Sequence, residues 1–150
     1  MYEIRVLSVS KTDPYNLKRF LDAQDELFGQ VCTELREGRK RTHWMWFIFP
    51  QLKGLGHSAM AEFYAISSLA EAAAYLSHPV LGARLRQCTE LVNQIDGRTV
   101  DQIFGSPDNL KFRSCMTLFA RLEADNQVFK DALEKYFGGT ADARTLELLR

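Results

Sequence analysis

Apolar side chains recur along this chain at three- and four-residue intervals, interrupted by glycine, proline and serine, and that spacing predicts a succession of amphipathic helices. The first is expected over residues 13–24. The second covers 25–37, with Leu27, Phe28, Val31, Cys32 and Leu35 as its buried stripe and Gly38 as its terminator. Ser58 can cap a helix carrying Met60, Phe63 and Tyr64. Ser68 and Glu71 have capping-box spacing, the serine serving an orphan amide and the glutamate reaching back, for a helix that stops near Ser77. A longer helix over 79–95 turns Leu81, Leu85, Cys88, Leu91, Val92 and Ile95 inward and ends on Asp96 and Gly97. A short one over 100–104 ends at Gly105, and the next, over 107–123, buries Cys115, Leu118, Phe119 and Leu122. Residues 127–137 follow with Val128, Leu133 and Phe137, closing on Gly138 and Gly139, and residues 141–149 form the last helix. Strand-like character is confined to residues 4–9, within an N-terminal arm over 1–13 that precedes a single helical domain over 14–150. The pattern therefore predicts an all-α chain, a compact bundle of about seven to nine helices.

One stretch departs from this alternation. Residues 38–58 read GRKRTHWMWFIFPQLKGLGHS, in which Arg39, Lys40 and Arg41 and then His43 run into six unbroken large apolar residues and a glycine-bearing loop. The run over 44–49 suits either the central wedge of a core or the wall of a pocket, and either helix or extended backbone. The loop after it lacks the spacing of a phosphate-binding fingerprint, and an ordinary interhelical turn is the expectation there.

Composition sharpens the fold and narrows the function. Leu and Ala number 33 against 12 Val and Ile, which favours helix because unbranched side chains lose little rotamer freedom there. Pro14, Pro79 and Pro107 fall where a helix's first turn lacks a hydrogen-bond partner. Lys and Arg total 19, as do Asp and Glu, so no global field draws the chain onto nucleic acid or an anionic membrane, and any anion site is local. No secretory leader and no apolar run of about 20 residues is present, so the expected compartment is the cytoplasm. Cys32, Cys88 and Cys115 are an odd set without a C-x-x-C pair, and reduced, buried thiols are expected. His43, His57 and His78 lack metal-ligand spacing; neither a metal nor a cofactor is expected.

Polar residues on apolar faces supply the candidate chemistry. Cys115, Leu118 and Leu122 lie four, seven and eleven residues beyond Lys111, so Lys111 starts on the core side of its helix, where an ammonium must snorkel, pair with an anion or lose its proton. Gln24 and Arg84 repeat the pattern beside Leu21 and Leu81. If the fold brings them together beside the aromatic run, they form a polar pocket for a small anionic ligand of the nucleotide or phosphometabolite class. Gln24, Arg39, Lys40, Arg84 and Ser114 would then bind, Trp44 and Trp46 would wall the pocket, and His43 and Lys111 are the candidate catalytic residues. The alternative is a non-catalytic interaction module or a homodimer, with the aromatic run packed in the core.

Several stretches together resemble a known family: YNLKRFLDAQ (15–24), the run over 38–58, LSHPVLGARL (76–85), IFGSPDNLKFRSCMTLF (103–119) and the closing FGGTADARTLELL. They are similar to an uncharacterised bacterial family, domain-of-unknown-function family 1810, sometimes labelled calpastatin-like, over about residues 14–149. The resemblance implies a compact, mainly helical single domain. It brings no established activity and no catalytic residues. The calpastatin label implies a disordered repeat chain, whereas the apolar content and capped amphipathic helices here belong to a folded one.

Overall fold

Residues 12–150 are described by the structure, a computed structural model; the strand-like segment 4–9 and all but the last two residues of the expected arm lie outside the described residues. Between Lys18 and Leu148 ten helices follow one another. They are α1 (Lys18–Gln24), α2 (Phe28–Arg36), α3 (Met45–Ile48), α4 (Ala59–Phe63), α5 (Leu69–Ser77), α6 (Leu81–Asn93), α7 (Val100–Phe104), α8 (Asp108–Ala120), α9 (Gln127–Phe137) and α10 (Ala143–Leu148). No strand forms among the described residues, where a single parallel bridge pairs Leu52 with Ile66. The fold is all-α, and the helix beyond the expected nine is the four-residue α3, inside the aromatic run.

Two helices organise the rest. α6 packs against α2, α5 and α9, while α8 packs against α5, α7, α9 and α10; α1 rests on α3. One continuous core joins them. Phe20 meets Tyr75 edge-on at 4.9 Å, Phe49 meets Phe112 edge-on at 5.0 Å, and Phe104 stacks on Phe112 at 4.7 Å. Burying each such ring stabilises the fold by roughly 1.5–3 kcal/mol, and each pairing adds about 0.5–1.5 kcal/mol.

Helix bounds follow local hydrogen bonding more than hydrophobic spacing. α1 begins at Lys18 and not at residue 13 because Asn16 takes a left-handed conformation (φ 52°) and the Asp13 carboxylate accepts from the amides of Leu17 (2.7 Å) and Lys18 (3.0 Å). Ser58 and Ser68 cap α4 and α5 as expected. Glu71, however, does not reach back to the Ser68 amide: Oε1 accepts from the amide and hydroxyl of Ser67, and Oε2 accepts from Arg19 at 2.7 Å. A complete capping box forms instead between Thr99 and Gln102, opening α7. At α6, His78 Nδ1 accepts from Val80 and Leu81, so Pro79 precedes the first helical turn.

Two buried ionic knots fix the segments that carry no long helix. All five N–H groups of the Arg19 guanidinium are engaged, by the carbonyls of Phe63, Tyr15, Asn16 and Ala65 and by Glu71. The second knot is centred on Glu34, fully buried near the end of α2. Its Oε1 accepts from the amides of Arg41 (2.6 Å) and Thr42 (3.0 Å) and from the Trp44 indole (3.0 Å). Its Oε2 accepts from Gln30 (2.9 Å) and the Thr42 hydroxyl (2.7 Å). Burial alone would raise the carboxyl's pKa, but the donors from Arg41, Thr42 and Gln30 overcome it and hold the value at about 2, against 4.5 for a free glutamate.

Because that folded value lies below the unfolded one, the stabilisation from Glu34 is fully present above pH 4.5 and is lost as the pH falls towards 2. Glu34→Gln should cost about 3 kcal/mol at pH 7 and remove this group's share of the acid sensitivity. Urea unfolding of both proteins across the acid range checks it: superimposable stability curves would show the knot contributes nothing. A second expectation concerns two helical glycines. A Cβ on Gly82 would stand 2.0 Å from the Leu76 carbonyl oxygen, a backbone atom, whereas one on Gly29 meets nothing within 4 Å. Gly82→Ala should therefore lower Tm by several degrees through a clash of about 1–3 kcal/mol, and Gly29→Ala should raise stability by about 0.5–1 kcal/mol. Thermal melts that move together in one direction would contradict this.

Candidate functional site

The polar residues singled out by their spacing divide into two clusters, both touching the short helix α3. In the first, Gln24 is buried, and its Nε2 donates to the Phe47 carbonyl (2.6 Å) and the Tyr75 hydroxyl (3.0 Å). Its Oε1 accepts from Arg84 Nη1 at 3.3 Å. Arg84 also bonds Asp25 at 2.9 Å and lies over the Phe28 ring, 5.0 Å from its centroid. Burial pushes the Tyr75 hydroxyl pKa up, against the bond from Gln24, so the phenol stays neutral. Every hydrogen-bonding group of the Gln24 amide oxygen and nitrogen is used within this cluster, which leaves it as a buried strut between α1, α3, α5 and α6.

The second cluster gathers Lys40, Trp44, Trp46 and Lys111 around a carboxylate the spacing did not single out. Asp108, the first residue of α8, accepts Lys40 Nζ at 3.0 Å on one oxygen and faces Lys111 Nζ at 3.5 Å on the other. Lys40 Nζ stands 5.2 Å from the centroid of Trp44, and Lys111 Nζ 5.5 Å from that of Trp46. Each ammonium thus has an indole face on one side and a share of one carboxylate on the other. The side chain of Lys40 is 7% exposed and that of Lys111 is 26% exposed, so the second is the one solvent and solutes reach. A narrow cleft lined by Met45, Trp46, Phe49, Gln51, Ala61 and Lys111 opens beside it, with a volume of about 10 Å³, room for a single water.

The expected pocket is therefore smaller than its residue set. Trp44 is enclosed, with its indole N–H on Glu34, so it supports the cleft from behind and offers no face to a ligand. Ser114 bonds back to the Leu110 carbonyl of its own helix at 3.1 Å and is buried. Arg39 and His43 are exposed and do not line the cleft. Gln24 and Arg84 belong to the other cluster. The glycine loop folds onto its own neighbours: a Cβ on Gly56 would lie 2.7 Å from that of Ala61 and 3.2 Å from Gln51 Nε2, and Ser58 takes the Ala61 amide. Among the described residues no group of His, Cys, Asp and Glu is placed to hold a metal ion, and no helix is long and apolar enough to cross a membrane.

Two groups were missed that the spacing carried. Asp108 precedes Lys111 by three residues in a first helical turn, a pairing distance, and Glu34 falls between Val31 and Leu35 on a buried stripe, seven residues before Arg41.

Similarity to other proteins covers nearly the whole chain. A crystal structure of a conserved hypothetical protein from Mycobacterium tuberculosis superposes with a TM-score of 0.90 at 58% sequence identity, covering 91% of this chain and 98% of that one. No curated protein matches. Residues 14–149 match the DUF1810 family, described as a protein of unknown function, and the chain belongs to that family.

Proposed function

We propose that the protein binds a small anion carrying a planar group, of the nucleotide or phosphorylated-metabolite class, at the mouth of the cleft between Trp46 and Lys111. The observation that carries this reading is a charge imbalance: two ammonium groups share the single carboxylate of Asp108. Lys40 is the nearer and the more deeply buried, so it takes most of the neutralisation. Lys111 is left with a longer contact and the more exposed side chain. A half-desolvated ammonium attracts an anion more strongly than one in open water, because solvent screens it less. The half-buried indole of Trp46 beside it offers an apolar plane for a ring, and Gln51 an amide to orient one.

The volume of the cleft sets the binding mode. A space of about 10 Å³ does not enclose a ring, so the ligand's phosphate or carboxylate meets Lys111 at the mouth while its planar part lies along Trp46. The reading is one of binding. No general base lines this cleft, and His43, the candidate proposed for that role from the sequence, stands outside it.

Thermal shift and tryptophan fluorescence with AMP, adenosine and inorganic phosphate as separate probes test the proposal. AMP at about 100 times its Kd should stabilise the protein by about 2.7 kcal/mol. Lys111→Met, which keeps the apolar stem and leaves Asp108 paired with Lys40, should weaken AMP binding at least tenfold, about 1.4 kcal/mol. Trp46→Phe should abolish the fluorescence response. Saturable binding unaffected by Lys111→Met, or no response to AMP and phosphate at any concentration, would overturn it.

A further inference from the structure

Where the chain leaves α2 and where it leaves α6, the two ends enclose an open cleft of about 350 Å³, within the range of small-molecule sites (about 300–1,000 Å³). Its apolar part is Leu35 of α2, Leu91 of α6 and Ile95 just beyond α6. Four charged side chains, Arg36, Glu37, Asp96 and Arg98, complete the lining with Gly38 and Gln94. Arg98 is fixed in place from one side. Its Nε donates to the Gly38 carbonyl at 2.8 Å and its Nη2 to the Gln102 carbonyl at 3.0 Å. The chain at Gly38 runs so close beneath it that a Cβ there would lie 3.0 Å from Arg98 Cδ.

The charges around this cleft do not balance. Each carboxylate has its own cation: Glu37 is held by Arg41 at 2.6 Å, and Asp96 faces Lys135 at 3.8 Å. Neither guanidinium has an anion, for Arg36 and Arg98 make no ion pair among the described residues. Arg98 meets carbonyls alone, and both N–H groups of its Nη1 are without an acceptor among the described residues. The helix ends, which would otherwise draw on these cations, are served by other donors. At α6, Lys135 Nζ donates to the carbonyls of Asn93 and Ile95 at 2.6 Å each, and the Tyr136 hydroxyl donates to that of Val92. At α2, the carbonyls of Thr33, Glu34 and Leu35 accept the amides of Glu37, Arg39 and Gly38.

We infer that this cleft binds a small organic monocarboxylate with an apolar body, its carboxylate on Arg98 and Arg36 and its body on Leu35, Leu91 and Ile95. A carboxylate accepts the planar donors of a guanidinium, and the half-buried, pre-positioned Arg98 contributes more than the exposed Arg36, whose charge water screens. Glu37 and Asp96 line the same cleft and repel a dianion such as a phosphate monoester more than a single charge. No aromatic ring lines it, so it offers a planar base no stacking partner, and its apolar floor rewards a body that an inorganic anion lacks. The inference is independent of the anion-binding reading at Trp46 and Lys111, since the two clefts have no lining residue in common.

The test is an NMR titration of the backbone amides of the whole chain with three probes: 3-phenylpropionate, its uncharged analogue 3-phenylpropionamide, and propionate, which has the charge and little of the body. 3-Phenylpropionate should move the amides of Leu35, Gly38, Leu91, Ile95 and Arg98 saturably, and the other two probes should bind about tenfold more weakly or less. Arg98→Gln should weaken 3-phenylpropionate about tenfold and Arg36→Gln about threefold, while Lys111→Met should leave the titration unchanged. An amide that binds as well as the acid, shifts confined to other parts of the molecule, or no saturable shift at all would each overturn the inference. Binding that survives both arginine substitutions would do the same. The comparison of probes on the unsubstituted chain decides even if Arg98→Gln, which also frees two carbonyls, fails to fold; Arg36→Gln removes no hydrogen bond among the described residues.

Discussion

The carboxylate of Glu34 is the constraint on which the site-bearing part of the molecule depends. Five donors converge on its two oxygens: two amides, a hydroxyl, a side-chain amide and an indole. None is a guanidinium or an ammonium, so the charge is held by dipoles, as in an anion-binding nest turned inward. The arrangement converts residues 41–44, which form no helix, into a fixed link between the end of α2 and the start of α3. Trp44 is thereby oriented, Lys40 is placed over its ring, and the aromatic run enters the core in one register. An apolar residue in place of Glu34 would leave the buried Trp44 indole N–H without an acceptor, a cost of about 1–3 kcal/mol, and would release the part-buried amides of Arg41 and Thr42.

Much of the fold was legible because long helices announce themselves. α9 was expected over residues 127–137 and is found there, since its apolar positions end against a left-handed glycine at Gly138. α7 likewise matches residue for residue. At α1 the periodic pattern extends into a turn whose geometry is set by Asp13 and Asn16, and periodicity alone does not register those local bonds. The undecided run over residues 44–49 proved a single helical turn with less regular backbone on either side. A stretch apolar on every face carries no phase from which to infer its backbone.

The candidate site was legible only in part, and for a different reason. Lys111 was placed on the core side of its helix, where an ammonium needs an anion, and Asp108 fills that need from one turn away. Gln24 and Arg84 do meet each other, but in a cluster that does not include Lys111. Helical spacing states which way a side chain points from its own axis; it says nothing of which neighbour stands opposite. The same limit hid the contact between Gln87 and Cys32, which are 55 positions apart in the chain and meet through the α2–α6 seam.

Arg19 shows how much a single planar group settles. Its five N–H vectors lie in one fork, and each ends on an acceptor drawn from the turn before α1, the end of α4, the linker after it, or α5. A lysine at this position has three donors on a tetrahedral centre and cannot reach acceptors spread along the edges of a plane. At least two of the five oxygens would then lose their donor. The residue that looks like one more surface cation in the sequence is thus a chemical identity, not a charge, and its nearest relative by charge is no substitute for its shape.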